Sequence, residues 1–355
     1  MRKFLLIEGY LVGENELNGE TFKKKNQSYI GEDKTGTNGG KRMRADKHQH
    51  KKKRRWKSVL LVFLLLIGAG AGYAYFQYKQ GVNKSLKKIN KDSTDTEEVY
   101  TFEGQKDQYG DTNILLLGSD ARGKEKSRAD TIMIAHYNED KGTFKLTSIM
   151  RDSYLGIPGH GKHKINSAFA LGGPELMRQT IKQNFDIDLQ YYSIVDFQGF
   201  AQLIDEAFPK GVEIDVEKKM SAYIDVTLEP GLQRLNGTQL LGYVRFRHDA
   251  VGDFGRVERQ QKVVKAIGDQ LSGFQTITKL PKLIGVVTPY VKTNMDTSDM
   301  LFMGKDFFSD KRGNVATLRI PVEDSFTEPR IKGEGAVLDI DVEKNKEALH
   351  QFITQ

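Results

Sequence analysis

Residues 113–135 read NILLLGSDARGKEKSRADTIMIA. Two short apolar runs, ILLL at 114–117 and TIMIA at 131–135, bracket a charged loop that opens with Gly118. Runs of this length, closed by turn residues, read as buried strands. Working outward, FKLTSI at 144–149, VEIDV at 212–216 and the stretch 315–320 give further strands, and YVRFR at 243–247 alternates in the same way. Helical patterns lie between them. Residues 174–185 carry Pro at the first turn with Leu176, Ile181 and Phe185 toward a core. Residues 197–208 stop at Pro209-Lys-Gly211, 236–240 open a short helix, and 257–271 form a longer one. Strands mixed with helices predict an α/β domain: a mixed central sheet covered by helices in three layers, preceded by a single transmembrane helix.

That helix lies at 58–78, 21 residues without a charge. A membrane span needs roughly 20 apolar residues. Ten Lys+Arg fall within 41–57, and five Lys (79, 84, 87, 88, 91) follow. The bias predicts a cytoplasmic N-terminus and an external C-terminal part, a single-pass type II topology. A cleaved signal peptide is the competing reading, since Ala69-Gly70-Ala71 resembles a small-residue cleavage site; a buried core helix fits the basic flank poorly. Gly68 and Gly72 form a small-xxx-small pair suited to helix dimerisation, although such glycines are often merely tolerated in lipid. The expected domains are a disordered basic tail at 1–57, the anchor at 58–78, a polar stalk at 79–108, a folded domain at 109–345 and a C-terminal tail at 346–355. Met43 offers a second start.

The chain has 355 residues, 54 Lys+Arg and 47 Asp+Glu. Residues 1–57 hold 16 basic and 7 acidic side chains, and 79–355 hold 38 and 40. The positive excess therefore sits at the N-terminus, beside the apolar run, where it suits anionic lipid. The bulk of the chain gives nucleic-acid binding no electrostatic support. With no Cys, a disulfide scaffold, a thiolate metal site and a cysteine nucleophile are excluded. There is no GxxxxGK[ST] phosphate loop, no GxSxG elbow and no HExxH.

Three constellations carry chemistry. Asp120 ends the first strand and Asp130 begins the second; if the strands are neighbours, both carboxylates sit at the base of one loop. That loop holds Arg122, Lys124, Lys126 and Arg128. Paired carboxylates among cations suit a hard divalent ion that also binds phosphate, although the aspartates would equally serve as loop caps or ion-pair partners. Arg151 stands at a strand end in Met150-Arg-Asp-Ser153. Alternation puts Arg245 and Arg247 on one strand face, and Arg256 and Gln260, four apart, share a helix face. Arginine is the favoured fork for phosphate oxygens; a surface salt-bridge network is the other reading. His136, His160, His163 and His248 lack metal-ligand spacing.

Six ordered blocks, NILLLGSDAR, RADTIMIAHYN, TSIMRDSY, KINSAFALGGPE, LNGTQLLGYVRFRHD and GDFGRVERQQ, resemble the LytR–CpsA–Psr family of Gram-positive cell-wall enzymes. The resemblance runs from about 113 to 271 and more loosely to the C-terminus. It implies a phosphotransferase that takes a glycopolymer from a polyprenyl-diphosphate carrier and joins it to peptidoglycan, as a phosphodiester at the N-acetylmuramic acid 6-hydroxyl. By that similarity Asp120 and Asp130 would hold Mg²⁺, or Mn²⁺ in its place. Arg128, Arg151, Arg245, Arg247, Arg256 and Gln260 would hold the diphosphate, with Arg151 also catalytic. Asp253 would be the base for the acceptor hydroxyl. The lipid would enter an apolar tunnel, with Leu176, Ile181, Phe197, Phe200 and Leu203 as open alternatives for its lining. The expected partners are the lipid-linked glycopolymer, peptidoglycan and membrane lipid, with no nucleic acid. The expected place is the cell membrane, with the catalytic domain outside. One departure is Phe208-Pro-Lys-Gly-Val212, where the family often has a Gly-Gly-Val turn. Wall teichoic acid, capsule and secondary wall polysaccharide all fit as cargo. A lipid-diphosphate hydrolase and a non-enzymatic envelope regulator are the alternatives; no helix-turn-helix pattern stands in 1–57.

Overall fold

The computed structural model describes residues 46–89, 100–119, 128–309 and 313–355. Residues Phe63–Gln355 form one compact unit. In chain order the described elements begin with helix α1 (Asp46–Ile89), which enters this unit at Phe63, then strands β1 (Asp111–Ser119), β2 (Ala129–Asn138), β3 (Thr143–Ile149), β4 (Ser153–Ile157) and β5 (Gly161–Lys164). Helix α2 (Asn166–Phe185), β6 (Tyr191–Asp196), α3 (Phe197–Ala207), β7 (Val212–Val216), β8 (Gly231–Leu235), α4 (Gly237–Arg245) and α5 (Gly252–Gln270) follow. The chain closes with α6 (Phe274–Val287), β9 (Val291–Thr293), α7 (Thr297–Phe307), β10 (Ala316–Ile320), β11 (Phe326–Thr327), β12 (Arg330–Ile331), β13 (Gly335–Ala336), β14 (Leu338–Ile340) and α8 (Val342–Thr354).

A six-stranded sheet runs β10-β3-β2-β1-β6-β9. β1 is antiparallel to β2 and parallel to β6, so the sheet is mixed, as expected. Strand alternation gives it two faces. Leu115, Leu117, Ile132, Ile134, Tyr192 and Ile194 bury one face against Met177, Ile181 and Phe185 of α2 and Leu349 and Ile353 of α8. Leu116 and Met133 turn to the other face, which Val264 of α5 and Phe307 beyond it cover. A second core joins α3, α4 and α5 to the β7–β8 ribbon.

The structure differs from the sequence reading at four places. Residues 243–247 do not form a strand. Asn236 and Gln239 make a reciprocal capping box that starts α4, and the helix runs on through Arg245 to bury Leu240 and Tyr243, three apart on one face. Arg245 and Arg247 therefore do not share a strand face. Residues 346–355 are not a tail: all but Gln355 belong to α8, whose His350 ring meets both the Tyr109 hydroxyl and the Phe185 carbonyl, each at 2.8 Å. The expected disorder of 1–57 gives way to helix from Asp46 onward, while 1–45 lie outside the described residues. The stalk at 79–108 is helical to Ile89; Tyr100 and Phe102, beyond the undescribed 90–99, pack on the core.

Among the described residues one helix, α1, is long and apolar enough to cross a membrane, over Val59–Lys87. Its last turns are docked rather than free. Gly81 lies so close to α6 that a Cβ there would overlap the Lys282 carbonyl, and a Cβ on Gly285 would overlap that of Tyr78. Ser85 donates to the Val286 carbonyl at 2.9 Å, and Lys84 pairs with Glu206 of α3 at 2.5 Å. Docking begins at Tyr78, the end of the 21-residue charge-free run. At 1.5 Å per residue that run covers about 30 Å, a bilayer's hydrocarbon thickness.

Candidate active site

A cavity of about 570 Å³ opens between the second sheet face and helices α3, α4 and α5. One part is apolar: Leu116, Met133, Val195, Phe197, Phe200, Val263, Val264 and Ile267 line it. The other is polar, with the charged Asp130, Arg151, Asp196, Arg245, Arg247 and Arg256 beside the Gln260 amide.

The sheet aims Asp130 by an irregularity. Gly118 pairs with Thr131, yet Ser119 pairs with Ala129, so Asp130 is the extra residue of a β-bulge. Bulges leave one residue unpaired and redirect its side chain. A Cβ on Gly118 would stand 2.9 Å from that of Thr131, so a larger residue there would push the two strands apart at the bulge. The Thr131 hydroxyl accepts from Gln260 Nε2 at 2.9 Å, which ties α5 to the same point.

Arg151, just past β3, binds three carboxylates. Its Nη1 donates to Asp130 Oδ1, its Nε donates to Asp253 Oδ2 at 3.1 Å, and Asp152 lies at 3.5 Å. Burial works against the guanidinium charge, but Asp253, Asp130 and Asp152 together raise its pKa. Arg256 Nη2 donates to the same Asp253 Oδ2 at 3.0 Å. Arg256 is in the opposite condition: burial, then repulsion by Arg151, lowers its pKa against the pull of Asp253 and Asp130. Its side chain is 7% exposed, and its Nε has no hydrogen-bond partner among the described residues. A buried cation with an unsatisfied donor is costly unless an anion completes it. Arg245 stacks its guanidinium 4.7 Å from the Phe197 ring centroid, and Arg247 is exposed at the cavity edge. Four arginines thus face two lining aspartates, Asp130 and Asp196, and Asp196 caps α3 through Gly199 N–H. The lining side chains alone are in positive excess, with Asp152 and Asp253 balancing Arg151 and Arg256 from beside the cavity, and the cluster adjoins an apolar chamber. That combination suits an amphipathic anion.

The family model for LytR_cpsA_psr matches residues 72–350. The chain belongs to the LytR_cpsA_psr family. It is 43% identical over 283 residues to Regulatory protein MsrR of Staphylococcus aureus (strain COL), covering 80% of this chain and 85% of that protein. It is 32% identical over 290 residues to the polyisoprenyl-teichoic acid–peptidoglycan teichoic acid transferase TagU of Oceanobacillus iheyensis, covering 78% and 88%. The solved structure of TagT bound to LI-WTA matches with a TM-score of 0.56 at 26% identity, over 73% of this chain and 100% of that one.

In this LytR_cpsA_psr domain, seven of the nine residues singled out from sequence meet at or beside one cavity. Asp130, Arg151, Arg245, Arg247, Arg256 and Gln260 line it, and Asp253 holds two of those arginines. Arg128 is exposed and is not among the lining residues. Asp120 lies outside the described residues, as do Arg122, Lys124 and Lys126. Arg259, three residues from Arg256, turns away to Glu217, Asp249 and the Phe246 carbonyl, so it braces the α4–α5 junction. Of the five apolar alternatives, Phe197 and Phe200 line the cavity, whereas Ile181 is core, and Leu176 and Leu203 pack against core clusters. Sequence reading missed Thr131 and Tyr223. Neither stands in a charge pattern, and only the cavity groups them with the arginines.

Proposed function

We propose that this protein is a phosphotransferase that moves a glycopolymer from a polyprenyl-diphosphate carrier to a hydroxyl of peptidoglycan, the N-acetylmuramic acid 6-hydroxyl. The observation that carries the reading is one cavity that joins an apolar chamber to a cluster of four arginines, among them the buried Arg256, whose Nε has no partner among the described residues. The name of the relative TagU and the solved TagT complex support it. The name of MsrR points to regulation instead, but a regulator needs no such cavity.

In this reading Arg151, Arg245, Arg247 and Arg256 bind the diphosphate, and Phe197, Phe200 and Ile267 receive the lipid. The acceptor oxygen attacks the phosphorus that carries the glycan. The bond from that phosphorus to the bridging oxygen breaks, and polyprenyl monophosphate leaves with the electron pair. Asp253 takes the hydroxyl proton. Both arginines occupy its Oδ2, which leaves Oδ1 for the proton, and the side chain keeps 20% exposure. Arginines already in place stabilise the charge moving onto the leaving phosphate without reorganisation.

A divalent cation, Mg²⁺ or Mn²⁺, fits the donors. Mg²⁺ takes one or two carboxylates and completes its shell with water and phosphate oxygens. Asp130, aimed by its bulge beside the arginines, supplies hard oxygen. Ser119, the residue before Asp120, pairs with Ala129, the residue before Asp130, so Asp120 is the second carboxylate we assign. The ion would neutralise phosphate charge.

The catalytic part lies outside the cell, anchored by α1. The test is the full chain in detergent with a polyprenyl-diphosphate-linked saccharide, Mg²⁺ and peptidoglycan fragments, read by mass spectrometry. A saccharide–phosphate adduct with released polyprenyl monophosphate is expected. Free sugar phosphate would mean hydrolysis, and intact lipid would refute the reaction.

A further inference from the structure

Tyr223 is 85% exposed; outside α1, no other large hydrophobic or aromatic side chain among the described residues exceeds 70%. It nevertheless lines the cavity, together with Arg245 and Arg247. Its backbone sits at φ 59°, a left-handed conformation that residues with a Cβ adopt at a cost. The segment holds it there from both sides. Met220 and Leu228 pair through two backbone hydrogen bonds of 2.9 and 2.8 Å, and both are fully buried with Ile224 in the second core. Val226 packs against Gly242 of α4, where a Cβ would stand 2.5 Å from its methyl. The neighbours are thus anchored, and the ring between them is thrust outward. Strain maintained by surrounding packing marks places where a side chain is held for use.

The ring is also backed. The His248 ring lies 5.0 Å from it at 58°. His248 directly follows Arg247, so the aromatic pair stands beside the cationic lining of the cavity, whereas Val263, Val264 and Ile267 belong to the apolar lining of its chamber. A lipid chain has that chamber. A membrane surface would require a wider apolar patch, whereas Tyr223 has charged and polar neighbours in Arg245, Asp225 and His248. A flat π face among hydrogen-bonding groups matches a pyranose, whose axial C–H groups present a positive edge to the ring's negative face while its hydroxyls reach polar partners.

We propose that Tyr223, backed by His248, is the stacking platform for the sugar attached to the diphosphate. The assignment rests on the reading of the cavity as a lipid-diphosphate site, and it deepens that reading by placing the first saccharide. Two ligands separate the claims: farnesyl diphosphate, and the same lipid diphosphate bearing N-acetylglucosamine, each titrated into the full chain in detergent. Tyr223→Ala is expected to weaken the sugar-bearing ligand roughly three- to tenfold and to change farnesyl diphosphate less than twofold. Tyr223→Trp should retain both affinities. Tyr223→Gly relieves the left-handed strain, so its loss of the sugar-bearing ligand alone would show that the ring, not the fold, is responsible. Equal weakening of both ligands, or no weakening of either, overturns the platform while leaving the diphosphate site standing. If the wild-type chain binds neither ligand, the diphosphate reading fails and the platform with it.

Discussion

Arg256 and Arg259 lie one turn apart on α5, both buried, and under the proposed function they have opposite duties. Replacing each with Met keeps most of the stem volume and deletes the charge. For Arg256→Met the fold loses little. Asp253 keeps its bond from Arg151 Nε at 3.1 Å, the repulsion between Arg151 and Arg256 disappears, and the unsatisfied Nε is removed. We expect a stability change within about 1 kcal/mol, or at most about 4 °C in Tm. Ligand binding loses one charge-assisted hydrogen bond, about 1.5–3 kcal/mol, which is roughly 10- to 150-fold in affinity. Arg259→Met should do the reverse. Its side chain is 4% exposed and holds Glu217 at 3.0 Å, Asp249 at 3.4 Å and the Phe246 carbonyl at 2.5 Å. Asp249 keeps Lys218 at 3.3 Å, but removing a buried guanidinium that binds two carboxylates and a carbonyl costs about 3 kcal/mol, roughly 6–12 °C. Calorimetric titration with farnesyl diphosphate and thermal unfolding of the same samples read both quantities. The reasoning is refuted if Arg256→Met binds within threefold of wild type while folded, or if both variants destabilise alike.

His136 is fully buried between Asn113 and Thr147, and burial, then Lys145, depresses its pKa to about 3. A base held neutral in the fold but protonated near pH 6.5 when unfolded loses stability as pH falls from 6.5 toward 3, by up to about 1.4 kcal/mol per unit. Denaturant midpoints should follow that slope, and His136→Gln should flatten it between pH 6.5 and 5. Gly81→Val forces α1 off α6; hydrogen exchange at residues 78–89 should quicken at least about tenfold, while β1 and β2 stay protected. Unchanged exchange there would show that the contact does not hold the helix. Asp130→Ala, and separately Asp120→Ala, should abolish Mg²⁺-dependent turnover with Tm retained; full activity in both would remove the metal assignment. A reporter fused after Gln355 should be active only outside the cytoplasm, and cytoplasmic activity would reverse the topology.

Much of this protein was legible in its sequence because the signals are local. A charge-free run of 21 residues beside ten basic ones determines a membrane-length helix, since lipid tolerates no unpaired charge or backbone group. Apolar runs at 114–117, 131–135 and 144–149 determine the strands that became β1, β2 and β3. The Pro at 174 begins the straight part of α2, just after the non-helical Gly172 and Gly173. The charged residues that gather at the cavity were also visible as residue types.

Other features were decided only by contacts between distant parts of the chain. Alternation at 243–247 suits a strand or the end of a helix; the capping box at Asn236 and the burial of Tyr243 chose the helix. Arg256 and Arg259 look alike in sequence, and only Glu217 and Asp249, brought from other elements, separate the brace from the arginine that lines the cavity. Asp130 owes its aim to a one-residue slip against β1. Phe200 and Ile181 are both apolar at helical spacing, yet one faces a cavity and the other a core, because the two sheet faces are covered by different helices. Side-chain period is a property of a few neighbouring residues, whereas register, partner and cavity are properties of surfaces meeting across the fold.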